Sequence, residues 1–529
     1  MTVCVARKLY WSCFNWGVTM PIPNLFYRVA MSTPDYASHI AARLDGNVNL
    51  YERVALRISE LIEHGTLRPG ERVPSVRRYS EQQDVSIATV MQAYRLLEDR
   101  GLLEARPQSG YYVRTRRWTP PPEPEMYRPK PQVSDVRVAN LVLEVVKAGF
   151  APGIVRLGTT LPSPDLFPAR ELNRVMAAVG RRSPGESHGY LSPAGHPSLR
   201  LQIARRAIEA GCTLSPDDII VTCGAAEAMN LCLRAVAKPG DTIAIESPTF
   251  FGILQIIEAL GMRACEIPTY PREGICLDEL TARLKRCRVK ACLFTPNFSN
   301  PLGSWMPDEK KQRLVELLAR HEIPLIEDDI YGNLIFGPTR PKVCKAFDKD
   351  GWVMTCDSFS KTLAPGYRVG WVAPGRFKDK VEYLKWTNTH STSSPPQLAM
   401  AEFLQTGGYD HHVRKLRRIY AENLQRMTEA ISRSFPPGTR ACRPGGGMAL
   451  WVELPPAVKA LEVHRRALAD KISIAPGPIF SVKQGFQNFI RLNIGNPWCE
   501  RIEGAVLKLG EIITALCHSP AHATTVSRN

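Results

Sequence analysis

A run of prolines divides the chain into two parts of very different size. Residues 118–131, WTPPPEPEMYRPKP, contain six prolines in fourteen positions. Proline has no backbone N–H and a fixed φ, so such a run cannot form a helix or a central strand. We therefore predict a semi-rigid linker over residues 118–135. The alternative is a proline-rich surface loop within one domain.

The length and composition also favour several soluble domains. A chain of 529 residues is too long for one ordinary hydrophobic core. Hydrophobic residues make up 44% and charged residues 22%, which is typical of globular proteins. No stretch of about 18 uncharged apolar residues occurs, so we expect no membrane association. Residues 1–49 make a poor signal peptide and are expected to be an N-terminal extension, either a disordered arm or a segment preceding a true start at Met31.

Cysteine usage and net charge indicate the cellular setting and the partners. The 14 cysteines are scattered and include no C-x-x-C pair, which argues against zinc and against a disulfide framework. A reducing cytoplasm is the simplest location for such a chain. The net charge of +17 favours a polyanionic partner, although many basic proteins bind none.

The block before the linker, residues 50–117, has the element order of a winged helix-turn-helix. YERVALRISELIEHG (51–65) places its apolar residues on one helical face, and SVRRYSEQQD (75–84) predicts a short helix. VSIATVMQAYRLLEDRG (85–101) predicts a third helix that begins near an N-capping serine and ends at a glycine. LLEARPQSGYYVRT (102–115) predicts two short strands around a Gln-Ser-Gly turn.

A helix-turn-helix inserts the start of its last helix into the major groove of double-stranded DNA. Serine, threonine and glutamine at that position can contact base edges or phosphates, and arginines nearby add positive charge. The alternative for these charges is an ordinary solvated surface. The predicted DNA-binding residues on the third helix, the second helix and the wing are Ser86, Thr89, Gln92, Arg77, Arg78 and Arg106.

Residues 136–515 alternate short apolar runs with amphipathic helical patterns. The runs DIIVTCG, DTIAIES, KACLFTP, IPLIEDD and GWVMTCDS are predicted strands. This alternation predicts an α/β domain with a mostly parallel sheet. Ligands of such sheets bind at the carboxyl ends of the strands. Residues 516–529 are expected to be a disordered tail.

Chemically useful residues follow these strands, although none is specific by itself. TCGAAEAMN (222–230) leads through Gly224 into a helix whose first amides would suit a phosphate, but for this segment alone an ordinary strand-to-helix turn is the favoured interpretation. SFSK (358–361) and Arg368 combine hydroxyls, a lysine and a guanidinium, which suits either a phosphate site or a nucleophilic lysine. The polar and aromatic residues after other strands are Phe250, Asn300, Asp328 and Tyr331.

Taken together and in this order, these motifs resemble known families. Residues from about 136 to 515 resemble the fold type I pyridoxal-phosphate aminotransferases, and residues 50–117 resemble the GntR winged helix. The fusion resembles the MocR subfamily of GntR transcription regulators. The GntR likeness is incomplete, because this chain has Ile87 and Met91 where such proteins often have arginine.

The resemblance implies pyridoxal 5'-phosphate as the cofactor and Lys361 as the lysine that forms the internal aldimine. It implies that Asp328 keeps the ring nitrogen protonated, because a protonated ring withdraws electrons. It also implies a homodimer, because one matching tyrosine, Tyr190, reaches the phosphate of the neighbouring subunit. The remaining cofactor-binding residues that it implies are Ala225 and Ala226 through their amides, Phe250, Asn300, Tyr331, Ser358, Ser360 and Arg368.

FIRLNIG (489–495) contains Arg491, which matches the family's arginine for the substrate α-carboxylate. A guanidinium fork fits a carboxylate with two parallel hydrogen bonds, although a strand-end arginine in a surface ion pair is the alternative. We expect a DNA-binding regulator that senses an amino acid or related amine through exchange of the aldimine. The alternatives are an active aminotransferase carrying a DNA-binding domain and a non-enzymic interaction protein.

Overall fold

The computed structural model describes residues 49–63, 66–68, 70–99, 102–114 and 119–518. The chain divides into two compact units, residues 1–117 and 118–529. The expected N-terminal arm, residues 1–48, and the end of the expected tail, residues 519–529, lie outside the described residues. No helix in the described ranges is long and apolar enough to cross a membrane.

Among its described residues, the first unit contains three helices and a hairpin, as the sequence predicted. Ser86 accepts a hydrogen bond from the Thr89 amide at 3.1 Å, which confirms its expected role as N-cap of the third helix. Tyr94, on that helix, is fully buried and donates to the Pro74 carbonyl at 2.8 Å. The elements are α1 Leu50–Glu63, α2 Val76–Gln83, α3 Ile87–Asp99, and antiparallel β1 Leu103–Arg106 and β2 Gly110–Val113.

The second unit is built on a nine-stranded sheet of described residues, which we call the large subdomain together with its helices. The five predicted strands are present as β5, β6, β9, β10 and β11, and the mostly parallel sheet is confirmed. The strands are β3 Val133–Asp135, β5 Ile220–Thr222, β6 Thr242–Ser247, β7 Arg263–Tyr270, β8 Gly274–Ile275, β9 Val289–Phe294, β10 Leu325–Asp328, β11 Val353–Ser358 and β12 Gly370–Ala373, in the order β3-β7-β6-β9-β10-β11-β12-β5 with β8 on β7.

Four strands of this sheet were not predicted, namely β3, β7, β8 and β12. β7 runs parallel to β6, and its sequence RACEIPTY contains charged residues and a proline that hide the apolar pattern. β12 is short and antiparallel to both β11 and β5. Because β12 separates β11 from β5, it determines which loops meet at the carboxyl edge of the sheet.

Helices cover both faces of the large sheet. Their apolar residues form the main core with the sheet, including Ile245, Leu293 and Ile326, which are fully buried. The helices are α4 Ala139–Ala148, α5 Ala169–Arg182, α6 Pro184–His188, α7 Pro197–Ala207, α8 Ala225–Val236, α9 Phe251–Ala259, α10 Leu277–Arg286, α11 Asp308–Arg320, α12 Lys378–Thr389 and α13 Ser394–Gln405.

The remaining elements form a smaller α+β part, which we call the small subdomain. A four-stranded antiparallel sheet has the order β13-β14-β17-β16, and a short parallel pair joins β15 to β4. The elements are β4 Val155–Arg156, α14 Gly408–Ser434, β13 Arg440–Ala441, β14 Ala449–Glu453, α15 Ala460–Ala469, β15 Ile472–Ser473, β16 Ala475–Pro476, β17 Phe489–Asn493 and α16 Glu500–His518.

The structure corrects two boundaries expected from the sequence. Residues 118–135 were expected to lie between domains, but they belong to the second compact unit, and Val133–Asp135 pairs with β7 as an edge strand. Residues 516–518 were expected to begin a disordered tail, but α16 continues to His518. Leu516 and Cys517 pack against the core of the small subdomain, which explains this continuation.

Candidate functional site

Lys361 follows β11 and lies at the carboxyl edge of the large sheet. Its Nζ donates to the Thr160 carbonyl at 2.7 Å. Burial lowers the pKa of Lys361 to about 8, and the positive charge of Arg491 acts in the same direction, while Asp328 opposes it. A substantial fraction of the amine is therefore neutral near physiological pH, as a nucleophilic lysine requires.

Asp328 ends β10 inside the protein, 4% exposed, and accepts a hydrogen bond from the Ile330 amide at 3.3 Å. The pKa of Asp328 is raised to about 7. Burial is the main cause, the Asp329 carboxylate acts in the same direction, and Lys361 opposes both. A carboxyl with this pKa can share a proton with a basic ring nitrogen at neutral pH.

Asn300 and Tyr331 come from different loops and meet beside the lysine. The Asn300 amide Nδ2 lies 3.2 Å from the Tyr331 hydroxyl and 3.3 Å from the Thr160 hydroxyl. Burial raises the pKa of Tyr331, so its hydroxyl keeps its proton and can donate. These two predicted cofactor-binding residues are therefore next to each other.

Arg491 lies on β17 with 0% of its surface exposed. One terminal nitrogen donates to Asn300 Oδ1 at 2.9 Å, and the other donates to the Gly158 carbonyl. Its Nε has no hydrogen-bond partner among the described residues. The rings of Phe480 and Phe251 lie 4.9 Å and 5.6 Å from the guanidinium carbon.

Burial lowers the pKa of Arg491 to about 10, because the charged guanidinium is removed from water without a counter-ion. A buried cation of this kind is costly unless an anion pairs with it. The unpartnered Nε and the two carbonyl-type acceptors therefore favour a site for a carboxylate ligand rather than the surface ion pair considered as the alternative.

The start of α8 forms a turn suited to a phosphate. Gly224 has φ +81°, and its backbone approaches Arg368 so closely that a Cβ would lie 2.6 Å from Nη2. Gly370 on β12 pairs with Ser358, and a Cβ on Gly370 would lie 2.8 Å from the Ala225 nitrogen. The structure thus brings the predicted phosphate ligands of three segments together at a helix N-terminus.

The remaining phosphate candidates are arranged around this turn. Arg368 is exposed, and its Nη2 donates to the Cys223 carbonyl at 3.1 Å. The Ser360 amide donates to the Ser358 hydroxyl at 3.3 Å. Ala226 follows Ala225 in the first turn of α8.

A buried ion pair that no sequence pattern predicted lies behind the turn. Glu227 accepts hydrogen bonds from the Cys223 amide and from Nζ of Lys385 on α12, the latter at 2.8 Å. Lys385 is 0% exposed, and its Nζ also donates a hydrogen bond to the Thr392 hydroxyl. These residues orient the turn rather than contacting its ligand.

Two predicted residues lie at the margin of the cluster in the single chain. Phe250 is half-buried, and its ring packs 4.6 Å from the ring of Phe251. Tyr190 is 91% exposed. Its predicted partner, the phosphate of a neighbouring subunit, would lie outside this chain.

Sequence reasoning missed Thr160 and Gly158, whose backbone carbonyls bind Lys361 and Arg491. The Thr160 hydroxyl also accepts from Tyr331 at 3.4 Å. The only available signal was a glycine followed by two threonines after a two-residue strand. This signal is too common to indicate a site.

The predicted DNA contacts lie on one helix-turn-helix and its wing. Arg77, Arg78 and Gln92 are exposed. The Ser86 and Thr89 hydroxyls form a hydrogen bond with each other at 2.8 Å. Contact with DNA would require these hydroxyls to break this hydrogen bond and form new ones with the DNA. Arg106 pairs with Glu104 at 2.7 Å and lies over the Tyr112 ring.

The fold and this site define the second unit as a fold type I aminotransferase-like domain on a chain that begins with a winged helix. Residues 50–113 match the GntR family of bacterial regulatory proteins, and residues 163–506 match aminotransferase class I and II. The chain belongs to the MocR subfamily of GntR transcription regulators.

Individual relatives show the same division. An HTH-type transcriptional regulator of Escherichia coli, YdcR, is 41% identical over 463 residues, or 88% of this chain and 98% of that protein. The 2-aminoadipate transaminase of Thermus thermophilus is 30% identical over 383 residues, or 72% of this chain and 94% of that protein. The crystal structure of Thermus thermophilus LysN with N-(5'-phosphopyridoxyl)-L-leucine has a TM-score of 0.65 at 29% identity and covers 71% of this chain and 95% of that chain.

Pyridoxal 5'-phosphate is the cofactor of this class, as the sequence predicted. The residues of this chain fit it on structural grounds. A Cβ at Gly224 or Gly370 would obstruct the phosphate turn, the buried Asp328 suits a ring nitrogen, and the amine of Lys361 lies at the same edge of the sheet. The described residues contain no group of His, Cys, Asp and Glu suited to a metal ion.

Proposed function

We propose that this transcription regulator binds pyridoxal phosphate at Lys361 and changes its DNA affinity when an amino acid or related amine occupies the site. The protein would work as a cytoplasmic homodimer on double-stranded promoter DNA. When bound, the cofactor supplies an aldehyde that reacts reversibly with amines and a ring that withdraws electrons. Lys361 would hold it covalently, Asp328 would hold the proton of the ring nitrogen, and Phe250 would stack on the ring.

The buried guanidinium of Arg491 carries this proposal. This guanidinium is fully buried, and its Nε has no hydrogen-bond partner among the described residues. It donates to Asn300, whose amide in turn donates to the Tyr331 hydroxyl. A carboxylate that replaced the Gly158 carbonyl would supply the missing charge. The ligand would therefore carry both an amine, for the cofactor, and a carboxylate, for Arg491.

The dimer is supported by Tyr190. A tyrosine that is 91% exposed is unusual unless another surface covers it. A homodimer would also present two winged helices, which suits a pseudo-palindromic operator.

An active aminotransferase is the second candidate. Its support is the complete residue set of the site and the likeness of residues in the aminotransferase-like domain to a named transaminase. The two candidates differ in turnover. An ordinary enzyme would convert amino and keto acids at about 1–1,000 per second, whereas a sensor would bind the amine and turn over far more slowly.

One experiment tests both candidates. The cofactor-loaded full-length protein is titrated with each proteinogenic amino acid while its visible absorbance, its product formation and its affinity for a duplex from upstream of its own gene are measured. We expect an absorbance change and a change in DNA affinity at the same amino acid concentration. Unchanged DNA affinity together with fast turnover would contradict sensing and support the enzyme.

Arg491→Ala sharpens this test. We expect it to keep the colour and the basal DNA binding but to lose on the order of a hundredfold or more in affinity for the responding amino acid, because a buried charged pair is lost. Arg491→Lys, which keeps the charge without the fork, should lose less. A wild-type response in Arg491→Ala would show that the ligand carboxylate binds elsewhere.

A further inference from the structure

The carboxylate of Glu227 lies at the start of α8, the same helix start that is expected to hold the cofactor phosphate. Glu227 is the third residue of this helix, after Ala225 and Ala226. Its Oε2 accepts a hydrogen bond from the Cys223 amide at 2.5 Å, and the carbonyl of the same Cys223 accepts one from Arg368. An acidic side chain and the predicted phosphate ligands are therefore attached to one turn of backbone.

Glu227 is ionised although its side chain is only 10% exposed. Burial by itself would raise the pKa of Glu227, but the hydrogen bonds from the Cys223 amide and from Lys385 outweigh it, so this pKa lies below its ordinary value. A phosphate ester is doubly negative above about pH 6. Like charges that are close together and shielded from water repel each other, so an unbalanced Glu227 would oppose a phosphate at this helix start.

Lys385 on α12 balances the Glu227 charge. Its Nζ lies 2.8 Å from Oε2 of Glu227, and its side chain is 0% exposed. The Thr389 hydroxyl donates to the other carboxylate oxygen, Oε1, at 2.9 Å. Within the part of the chain that the structure describes, Lys385 is the only cation that forms an ion pair with Glu227. The neutrality of this carboxylate therefore depends on one buried amine.

The Lys385 amine is also fixed from the side away from Glu227. The Thr392 hydroxyl accepts from Nζ at 2.9 Å and donates to the Val221 carbonyl at 3.3 Å. Gln397 donates to the Thr392 carbonyl at 2.7 Å, which holds this loop in place. Because the amine is held between Glu227 and Thr392, its effect on a bound phosphate passes through Glu227.

We propose that Lys385 is a positioning residue for the cofactor phosphate, because its pairing with Glu227 neutralises the acidic side chain in the first turn of α8. The helix start can then present its amides and Arg368 to the phosphate without a competing negative charge. This inference rests on the proposed cofactor site, but not on amino acid sensing or on DNA binding. A purely structural pair would behave differently, because loss of either partner would leave a buried unpaired charge and weaken cofactor binding.

The test compares two probes on the full-length apoprotein at about pH 8, where a phosphate ester is doubly charged. The affinities for pyridoxal phosphate and for pyridoxal, which lacks the phosphate, are measured by absorbance titration, and their ratio reports the contribution of the phosphate. The variants are Lys385→Met, Lys385→Arg, Glu227→Gln and the double variant Lys385→Met/Glu227→Gln. The control is Lys311→Met, which removes a fully buried lysine that donates to Asn297 and to the Lys342 carbonyl.

We expect Lys385→Met to lower the ratio by on the order of tenfold, because the Glu227 charge is then unbalanced. Glu227→Gln removes that charge and should keep the ratio at or above the wild-type value. Lys385→Arg, the double variant and Lys311→Met should stay near the wild-type ratio.

An unchanged ratio in Lys385→Met would overturn the inference. So would a fall of the ratio in Glu227→Gln, which decides the question even if Lys385→Met does not fold. A wild-type protein that bound both probes equally well would instead show that the proposed phosphate site is wrong, so the two failures are distinguishable.

Discussion

Arg491 and Asp328 shift the pKa of Lys361 in opposite directions, and Lys361 lowers the pKa of Asp328. Burial and the Arg491 charge lower the pKa of Lys361, while burial and Asp329 raise the pKa of Asp328. These shifts move both groups towards neutral pH from opposite directions. Groups with such matched pKa values are typical of sites where protons and nucleophiles are exchanged.

The first residue-scale prediction concerns Lys361 itself. The purified protein should be yellow, and Lys361→Ala should abolish the visible band because no amine remains to hold the cofactor aldehyde. Absorbance of protein reconstituted with excess cofactor measures this. Lys311→Met is the comparison, since Lys311 is also fully buried but donates to Asn297 and to the Lys342 carbonyl rather than to a predicted cofactor ligand. A wild-type protein that stays colourless would refute the cofactor assignment.

The second prediction concerns pH. The rate at which apoprotein incorporates the cofactor should rise with pH through about 8, because the neutral amine of Lys361 is the reactive form. Arg491→Met removes a positive neighbour that lowers this pKa, so the midpoint should move to higher pH. Stopped-flow absorbance at about ten pH values between 6 and 10 measures this midpoint. Arg491→Lys keeps a cation and should keep the wild-type midpoint; a midpoint unmoved in Arg491→Met would contradict the coupling.

At the scale of elements, the phosphate turn depends on where β12 places its glycine against α8. Gly370 of β12 has Gly224 and Ala225 against it, and Ser358 pairs with it across the sheet. A helix N-terminus binds anions only where the backbone is accessible. We therefore expect the short antiparallel β12 to support cofactor binding through the position of its backbone, since none of its own side chains is a predicted phosphate ligand.

Gly224→Ala tests the turn. A Cβ on residue 224 would lie 2.6 Å from Nη2 of Arg368. Because Arg368 is a predicted phosphate ligand and would have to move, the affinity of the protein for the cofactor should fall. Gly240→Ala is the matched control, because Gly240 has a similar φ of +86° but no atom of the described residues within 4 Å of the added Cβ. Both variants carry about 1 kcal/mol or more of backbone strain. Equal cofactor affinity in the two variants would contradict the role of the turn.

At the scale of the whole molecule, one chain joins a small winged-helix unit to a much larger aminotransferase-like unit. Residues 1–117 form a compact unit with a core of their own, including Ile58, Val90 and Leu97. A dimer of the second unit would hold two such readers near each other, which raises the effective concentration of the second reader once the first has bound.

The fragment 1–117 should therefore bind the upstream duplex much more weakly than the full-length protein, and both should weaken with added salt because phosphate contacts release counter-ions. Fluorescence anisotropy at several salt concentrations measures both effects. Arg77→Ala should reduce affinity across sequences, or relax one base position if Arg77 reaches a base. Equal affinity of fragment and full-length protein would contradict the dimeric reader.

The amino-acid sequence by itself determined the order of the main elements and proposed most of the candidate site residues. Lys361, Asp328, Asn300 and Arg368 each follow a strand pattern or a glycine, and the carboxyl ends of neighbouring parallel strands must lie at one edge. The prolines of residues 118–131 marked the division between the two compact units to within one residue. These features are local in the chain, so local patterns were sufficient.

Only the tertiary structure decided which distant groups meet. Thr160 contacts Lys361, Asn300 and Tyr331 across 140 residues or more, and Glu123 of the proline-rich segment pairs with Arg272 across 149 residues. Such contacts depend on sheet order and on the packing of the two subdomains, which no local pattern contains. The unpartnered Nε of Arg491 is also a tertiary property, because burial of a charge depends on what the rest of the chain places around it.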